Sequence, residues 1–377
     1  MPPKILVVPD KFKGTLTARA AAQAIARGWG RARPDDSLEL LPMTDGGDGF
    51  GEVMSRLLKA RPQSIRTVNA AHHPCGATWW WDAQTKTAIV ESAQVIGLAI
   101  LPAGRFHPFE LDTFGLGKLL WAAWAKGARQ VLVGIGGSAT NDGGFGLARA
   151  MGWEFLAANQ KPIRHWTELH RLVEIRPPLR RRFGRITVAV DVQNALLGTR
   201  GATCVYGPQK GLHVEDFPQA EKCLGRLAVV AHRHFGQNFA KRPGAGAAGG
   251  LGFGLLAFLG AKPEPGFELF ARHAKLDRHL RAAGLVITGE GAIDRSTLMG
   301  KGTGEIARQC QARTIPCLGL AGSLAPDIRR NRRFCELRAL TDLTTMRQAK
   351  ARPAVWLERL AELTARGHVE PSASGSR

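Results

Sequence analysis

The chain has 377 residues, of which 44% are hydrophobic, and it contains 45 glycines and 21 prolines. A chain of this length is longer than one hydrophobic core usually organises, so we expect two domains. The composition excludes a disordered or fibrous protein and indicates a globular one. The formal net charge of +21, from 52 basic and 31 acidic residues, indicates an anionic partner: nucleic acid, a membrane surface or small anionic ligands.

Three features narrow the choice of partner. The two basic clusters, residues 176–185 and 327–334, are not interleaved with base-stacking aromatics, so we expect a solvated basic face and no specific nucleic-acid partner. The uncharged run 243–261 contains seven glycines, which predict a soluble loop followed by a short buried helix and no membrane partner. Six cysteines without metal-ligand spacing, together with an N-terminus that lacks a signal-peptide core, indicate free thiols in the cytoplasm.

The first sixty residues follow a β-α-β-α pattern. We predict a strand over 5–10, a helix over 16–32, a strand over 38–43 and a helix over 50–60. From about residue 66 to residue 92, short alternating runs of β-branched and aromatic residues predict antiparallel strands.

The β-α alternation then returns. The middle of the chain predicts a helix over 117–129, a strand over 130–135, a helix over 145–153 and a strand over 185–191. Near residue 282 a further strand begins, and it is followed by a helix over 303–313 and strands over 315–323 and 337–343.

This order predicts an α/β fold with two domains. One is a discontinuous, Rossmann-like parallel-sheet domain formed from both chain ends, residues 1–65 and 282–366. The other is an inserted α/β domain over residues 66–281, and the tail 367–377 is expected to be disordered.

The stretch GIGGSATNDGG, Gly134–Gly144, lies between a predicted strand and a predicted helix. A loop in this position presents bare N–H groups and the positive end of the helix to an anion. We expect the anion to be bound by Gly136, Gly137, Ser138 and Thr140. Asn141 and Asp142 are expected to hold a metal or orient a substrate; the alternative is a plain strand-to-helix turn capped by Asp142.

Two further glycine motifs leave alternatives open. GAGAAGG, Gly244–Gly250, is not preceded by a strand, so Gly246 belongs either to a second phosphate loop or to a close helix contact. Lys301, in GKG, follows the strand-end acids Glu290 and Asp294; it is either a ligand-binding lysine or a solvated loop lysine.

Carboxylates recur directly after apolar strands, where open α/β sheets bind ligands. The four acids in this position are Asp10, Asp45, Asp191 and Glu290, and the lysines beside these acids and loops are Lys11, Lys13, Lys210 and Lys301. Acids that bind metal or accept a proton, combined with lysines and backbone N–H groups for phosphate, are the components of phosphoryl transfer.

At this point the chain resembles a known family, the bacterial glycerate kinases, from residue 4 to about residue 325. The resemblance rests on seven motifs in the family's order: VVPDKFKGTLTA (7–18), LPMTDGGDG (41–49), GIGGSATNDGG (134–144), VAVDVQNALLG (188–198), YGPQKG (206–211), PGAGAAGGLGFGLLAFLGA (243–261) and VITGEGAIDRSTLMGKG (286–302). The chain departs from the family's pattern at Lys11, Leu116 and Lys118, where the family more often has Ser, Thr and Glu.

The resemblance implies a two-domain kinase that uses ATP and Mg²⁺ to phosphorylate D-glycerate, giving 2-phosphoglycerate. The alternatives are a kinase for another small hydroxy acid and an inactive basic binding protein; a homodimer is left open. We expect Asp191 or Asp45 to take the hydroxyl proton, Lys301 to steady the transferred group, and Glu290 and Asp294 to hold Mg²⁺. The remaining expected substrate- or phosphate-binding residues are Asp10, Lys13, Lys210, Gly246 and the loop residues Gly136, Gly137, Ser138, Thr140, Asn141 and Asp142.

Overall fold

The computed structural model describes residues 4–179, 184–299 and 302–367 and divides the chain into two compact units. One unit combines the residues up to Asp45 with those from Phe270 on, and the other is Gly46–Leu269. Residues 46–65, expected in the first unit, lie in the second, because Phe50 and Met54 share a core cluster with Ile89 of that unit. Residues 270–281, expected in the inserted domain, lie in the first unit. The tail from residue 368 lies outside the described residues.

The elements alternate along the chain as an α/β protein requires. In chain order, the strands are β1 (Lys4–Val7), β2 (Ser37–Leu40), β3 (Arg61–Val68), β4 (Pro74–Asp82), β5 (Thr87–Glu91), β6 (Gln130–Gly134), β7 (Glu154–Ala157), β8 (Leu172–Arg176), β9 (Arg185–Ala189), β10 (Lys262–Glu264), β11 (Leu285–Ile293), β12 (Cys317–Leu324) and β13 (Glu336–Ala339).

The α-helices of the described residues follow the same numbering. They are α1 (Ala18–Ala32), α2 (Phe50–Leu57), α3 (Ala93–Ile96), α4 (Phe114–Ala125), α5 (Phe145–Ala150), α6 (Ala202–Tyr206), α7 (Phe217–Phe235), α8 (Ala247–Leu259), α9 (Gly266–Ala274), α10 (Leu276–Arg281), α11 (Gly302–Ala312), α12 (Met346–Ala351) and α13 (Pro353–Gly367).

The first unit is built on a parallel sheet. Among the described residues its five strands have the order β13-β12-β11-β1-β2, so strands from both chain ends meet at the β11–β1 pair. Thr17 caps the N-terminus of helix α1, and its side chain accepts a hydrogen bond from the Ala20 N–H. This helix packs on α13, and together they bury Trp29 and Leu357 in one apolar cluster with the sheet.

The second unit contains a mixed sheet. Within the described part of the chain its order is β10-β9-β6-β5-β4-β3, and β7 and β8 form a separate two-stranded sheet. Strands β3, β4 and β5 are antiparallel, as the alternating pattern predicts, whereas β5, β6, β9 and β10 are parallel. The parallel strands end side by side, so the loops after β5, β6 and β9 start at one sheet edge.

Helix α8 explains the glycine-rich run 243–261. Ala248, Gly249 and Gly250 have positive φ angles of 54°, 69° and 85°, so regular right-handed helix follows only after them. The helical part is almost wholly buried in the second unit. In the portions of the chain that the structure covers, no helix has both the length and the apolar character needed to cross a bilayer.

The contact between α1 and α13 gives a stability prediction. Leu357 is fully buried, whereas Val355 on the same helix is 60% exposed. We expect Leu357→Ala to lower the free energy of unfolding by roughly 2–5 kcal/mol, because it leaves a cavity. The matched control Val355→Ala should change it by less than about 0.5 kcal/mol. Urea unfolding of both variants measures the difference, and equal midpoints would contradict this packing.

Candidate active site

In the first unit, three acids are brought together by the order of its strands. Asp10 follows β1 and donates its N–H to the Gly289 carbonyl of β11 at 2.8 Å, which puts it beside Glu290. Lys11 Nζ donates to Asp45 Oδ1 at 2.9 Å and lies 3.9 Å from Asp10 Oδ1. The structure thus brings together Asp10, Asp45 and Glu290, three of the four acids expected at strand ends.

Asp10 has the most perturbed carboxyl group of this cluster. It is 7% exposed, and its burial raises its pKa to about 7, assisted by the charges of Asp45 and Glu290. The ammonium of Lys11 and the Lys11 N–H act in the opposite direction, since both stabilise the carboxylate. A carboxyl that titrates near neutral pH can accept a proton from a substrate hydroxyl under physiological conditions.

The other expected residues of this unit lie differently. The side chain of Asp294 is bonded to its own turn. Its Oδ1 accepts hydrogen bonds from Ser296 N, Ser296 Oγ and Thr297 N, and these bonds close a turn before the next helix. The side chain of Lys13 is exposed. Lys301 lies outside the described residues.

The carboxylate oxygens of Asp10, Asp45 and Glu290 are of the ligand type that a magnesium ion prefers. Mg²⁺ binds one or two carboxylates and takes its other ligands from water and phosphate. Asp10, Asp45 and Glu290 are hard oxygen donors, and Asp45 and Glu290 both raise the pKa of Asp10, a mutual repulsion that a divalent cation relieves. Among the described residues, no three His, Cys, Asp or Glu side chains are already placed to hold a metal ion together, so a bound ion would need ligands from water and phosphate as well.

In the second unit, the loop after β6 presents backbone donors. Leu98 N donates to the Gly137 carbonyl and Ala139 N to the Ile96 carbonyl, both at 2.8 Å, which fixes the loop against the segment after α3. Within the described chain, the N–H groups of Gly137 and Ser138 have no protein acceptor. Two adjacent free N–H groups beside a serine hydroxyl can bind an anion. The Asp48 carboxyl group also lies against Gly137, where an added β-carbon would be 2.0 Å from Asp48 Oδ1, so an anion must bind on the side of the loop away from Asp48.

The wealth of glycine around this loop has a second explanation, a close approach between two backbones. A β-carbon added at Gly250 would lie 2.7 Å from the Gly143 α-carbon, and one added at Gly144 would lie 2.7 Å from the Gly254 α-carbon. The two motifs GGSATNDGG and GAGAAGG therefore pack on each other through their glycines, and Gly143 N donates to the Gly249 carbonyl at 3.1 Å.

Asp142 is fully buried and makes its hydrogen bonds within the protein. Its Oδ2 accepts from Thr113 N at 2.9 Å, Thr113 Oγ1 at 2.8 Å and Gly146 N at 2.9 Å, and its Oδ1 accepts from Gly144 N at 3.2 Å. Burial raises its pKa to about 6. We assign it the capping role at α5, which was one of the two alternatives left open by the sequence.

Thr140 and Asn141 are also fully buried, but they keep polar atoms unsatisfied. Asn141 Nδ2 donates to Thr203 Oγ1 at 3.1 Å. Asn141 Oδ1 and Thr140 Oγ1 have no hydrogen-bond partner among the described residues. Buried polar atoms without partners are rare, and in native proteins they indicate a bound water or ligand.

Lys210 is hydrogen-bonded to this loop. It ends the short 3-10 turn 208–210, and its Nζ donates to the Thr140 carbonyl at 2.6 Å and to Ser138 Oγ at 3.2 Å. Only 6% of the residue is exposed. Lys210 thus contacts the expected anion loop itself and is not a solvated phosphate-binding lysine.

Asp191 and Gly246 make contacts that a sequence motif cannot reveal. Asp191 Oδ1 accepts from Gly266 N at 2.7 Å, at the N-terminus of α9. Gly246 N donates to the Asn194 carbonyl at 2.8 Å, and a β-carbon at Gly246 would collide with the Ala195 carbonyl. Of the two alternatives for Gly246, the structure has the close backbone contact.

Sequence reasoning missed two residues that position the loop. Thr113 binds Asp142 and also accepts a hydrogen bond from Leu147 N, and Thr203 holds the Asn141 amide. Thr113 is 29 residues from Asp142 along the chain, and Thr203 is 62 residues from Asn141. Thr203 lies outside any motif, and Thr113 begins the stretch TFGLGKLL that resembles a family motif, but neither threonine carries a sequence signal for such a contact.

Comparison with known proteins gives a consistent picture. A sequence model described as the glycerate kinase family matches residues 5–368. A protein named glycerate kinase from Halalkalibacterium halodurans is 38% identical over 324 residues, 85% of each chain. A protein named glycerate 2-kinase from Escherichia coli (strain K12) is 35% identical over 331 residues, 86% of each chain. A crystal structure described as glycerate kinase 2 from Salmonella typhimurium LT2 superposes with a TM-score of 0.82 at 31% identity, covering 97% of this chain and 98% of that chain.

The acid cluster predicts how stability depends on pH. Because folding raises the pKa of Asp10 from 3.8 to about 7, the folded state binds more protons between these values, and the free energy of unfolding falls as pH rises through this window. Asp10→Asn stays uncharged, so it should be more stable than the parent at pH 8 by at least about 1 kcal/mol, with a smaller difference at pH 5. Urea midpoints at both pH values measure this, with the exposed Asp35→Asn as control. A variant less stable than the parent at pH 8 would contradict the assigned burial.

Proposed function

The chain belongs to the glycerate kinase family, and we propose that it transfers the γ-phosphoryl group of ATP to a hydroxyl of D-glycerate, giving 2-phosphoglycerate. Phosphorylation of glycerate is supported by the relatives named glycerate kinase. The choice of the 2-hydroxyl is supported by the relative named glycerate 2-kinase.

The observation that carries this proposal is the loop after β6. This loop favours a bound anion through its free N–H groups at Gly137 and Ser138 and through the Ser138 hydroxyl. The buried Lys210, which is hydrogen-bonded to Ser138 Oγ, adds a further donor. Both substrates are anions, since D-glycerate carries a carboxylate and ATP carries phosphates. The loop therefore binds the glycerate carboxylate or a phosphate of the nucleotide.

The acids of the first unit supply the proton chemistry. We assign Asp10 as the base that accepts the hydroxyl proton, because its pKa of about 7 matches the working pH. Asp45 remains the second candidate of this cluster, and Asp191 is the less favoured one because its Oδ1 is held by Gly266 N. Lys13 and Lys301 remain candidates for offsetting phosphate charge.

Asp45 and Glu290 are the residues that would hold Mg²⁺. A bound magnesium ion neutralises phosphate charge and orients the transferred group. Asp294 is a weaker candidate than its sequence position indicates, since its Oδ1 already closes the turn to Thr297. Lys11 pairs with Asp45 and orients that carboxyl group.

The direct test is ADP release from ATP with a panel of small hydroxy acids. We expect turnover with D-glycerate and Mg²⁺ and no comparable turnover with lactate, malate or tartrate. Phosphorus NMR of the product distinguishes 2- from 3-phosphoglycerate, and the proposal requires the 2-isomer. Turnover of another hydroxy acid in preference to D-glycerate would overturn the substrate assignment.

The assignment of the base predicts a graded loss of activity. Asp10→Asn should lower kcat by at least about a hundredfold, because a positioned base contributes typically 10²–10⁴-fold. Asp191→Asn should cost less than about tenfold if it only caps α9. Far-UV circular dichroism of both variants separates a loss of the base from unfolding. A hundredfold loss in Asp191→Asn with little loss in Asp10→Asn would reverse the assignment.

A further inference from the structure

Lys210 is placed where an ammonium group is costly. Its Nζ lies 2.6 Å from the Thr140 carbonyl and 3.2 Å from Ser138 Oγ, and both acceptors are uncharged. Space around it is limited, since a β-carbon added at Gly249 would lie 2.7 Å from Nζ. A buried lysine with only neutral acceptors favours the uncharged amine.

Neighbouring charges do not offset the free-energy cost of burying a charged Lys210 ammonium group. Among the described residues, Asp142 is the acid whose charge acts on it, and that carboxyl is already bound by Thr113, Gly144 and Gly146. Burial lowers the pKa of Lys210 to about 7, with Asp142 acting weakly in the opposite direction. At neutral pH the group is therefore divided between amine and ammonium.

The protonation state decides what Ser138 can do. An ammonium has three donors and no acceptor, so Ser138 Oγ must accept from it, and the serine hydroxyl proton is then free to be donated to a ligand. An uncharged amine has a lone pair and can accept the serine proton instead. Only the ammonium form thus fixes Ser138 as a donor toward an anion.

We propose that Lys210 is a positioning residue that takes up a proton from solvent when an anion binds at Gly137 and Ser138, and thereby orients the Ser138 hydroxyl toward that anion. The inference rests on the proposed function only in taking this loop as an anion site. No covalent bond changes; one proton moves from the buffer to Nζ. The anion is the glycerate carboxylate or a tetrahedral phosphate.

The test is isothermal titration calorimetry of the full chain in two buffers with different ionisation enthalpies, at pH 7.5. The two probes are D-glycerate, which tests the carboxylate, and sulfate, which tests a phosphate position; neither titrates near this pH. We expect uptake of about half a proton per bound anion, because a nearby negative charge raises the pKa of Lys210 above the working pH. The probe that gives the uptake identifies the anion.

Two substitutions and one control separate this role from a structural one. Lys210→Arg is permanently charged, so it should bind the anion without proton uptake. Lys210→Met cannot be charged, so it should show no uptake and bind at least about tenfold more weakly. The control Lys222→Met replaces an exposed lysine of α7 and should keep the uptake of the parent. Far-UV circular dichroism checks that each variant is folded.

The parent protein decides the matter even if a variant does not fold. Binding enthalpies that do not depend on the buffer, uptake that persists in Lys210→Met, or failure of both probes to bind at millimolar concentrations would each overturn the inference. If the enzyme turns over D-glycerate but calorimetry shows no proton uptake when the anion binds, this inference alone is contradicted. Proton uptake without turnover contradicts the proposed function alone.

Discussion

The site of the second unit depends on the direct contact between two glycine-rich backbones. Gly143 and Gly144 lie so close to Gly250 and Gly254 that a β-carbon added at Gly144, Gly250 or Gly254 would come within 2.7 Å of the facing backbone. The loop 136–142 is also contacted from within the protein: the buried Lys210 donates to the Thr140 carbonyl, and the buried Asp142 accepts from Thr113 N. The buried, partly satisfied polar groups are tolerated because the surrounding backbone fixes their positions.

The site of the first unit follows from the parallel arrangement of its strands. Because β1 and β11 are neighbours, Asp10, which follows β1, and Glu290, which lies within β11, are close together although they are 280 positions apart. Crowding of acids at this point, together with burial, is what raises the pKa of Asp10. The same geometry that creates the repulsion also creates a place for a proton or a divalent cation.

Much of this could be predicted from the sequence, and the exceptions have physical reasons. Periodicity located α1 and β1, and the rule of strand ends identified the acids. The sequence could not reveal that Asp142 and Asp191 accept hydrogen bonds from backbone N–H groups. A capping acid and a catalytic acid both lie between a strand and the following helix, so their positions in the sequence look alike. The sequence could not place residues 46–65 in the second unit, since the core partners of Phe50 are remote in sequence. The pair β7 and β8 and the long helix α7 had no motif to draw attention to them.

The central claim is that the backbone of Gly137 and Ser138 binds an anionic substrate. The most direct measurement is a titration of isotope-labelled protein with D-glycerate and with a non-hydrolysable ATP analogue, followed by amide NMR. The account predicts that the amide signals of Gly137 and Ser138 move downfield and exchange more slowly with solvent when one of these ligands is bound. Saturation by both ligands with these two amides unchanged would contradict it.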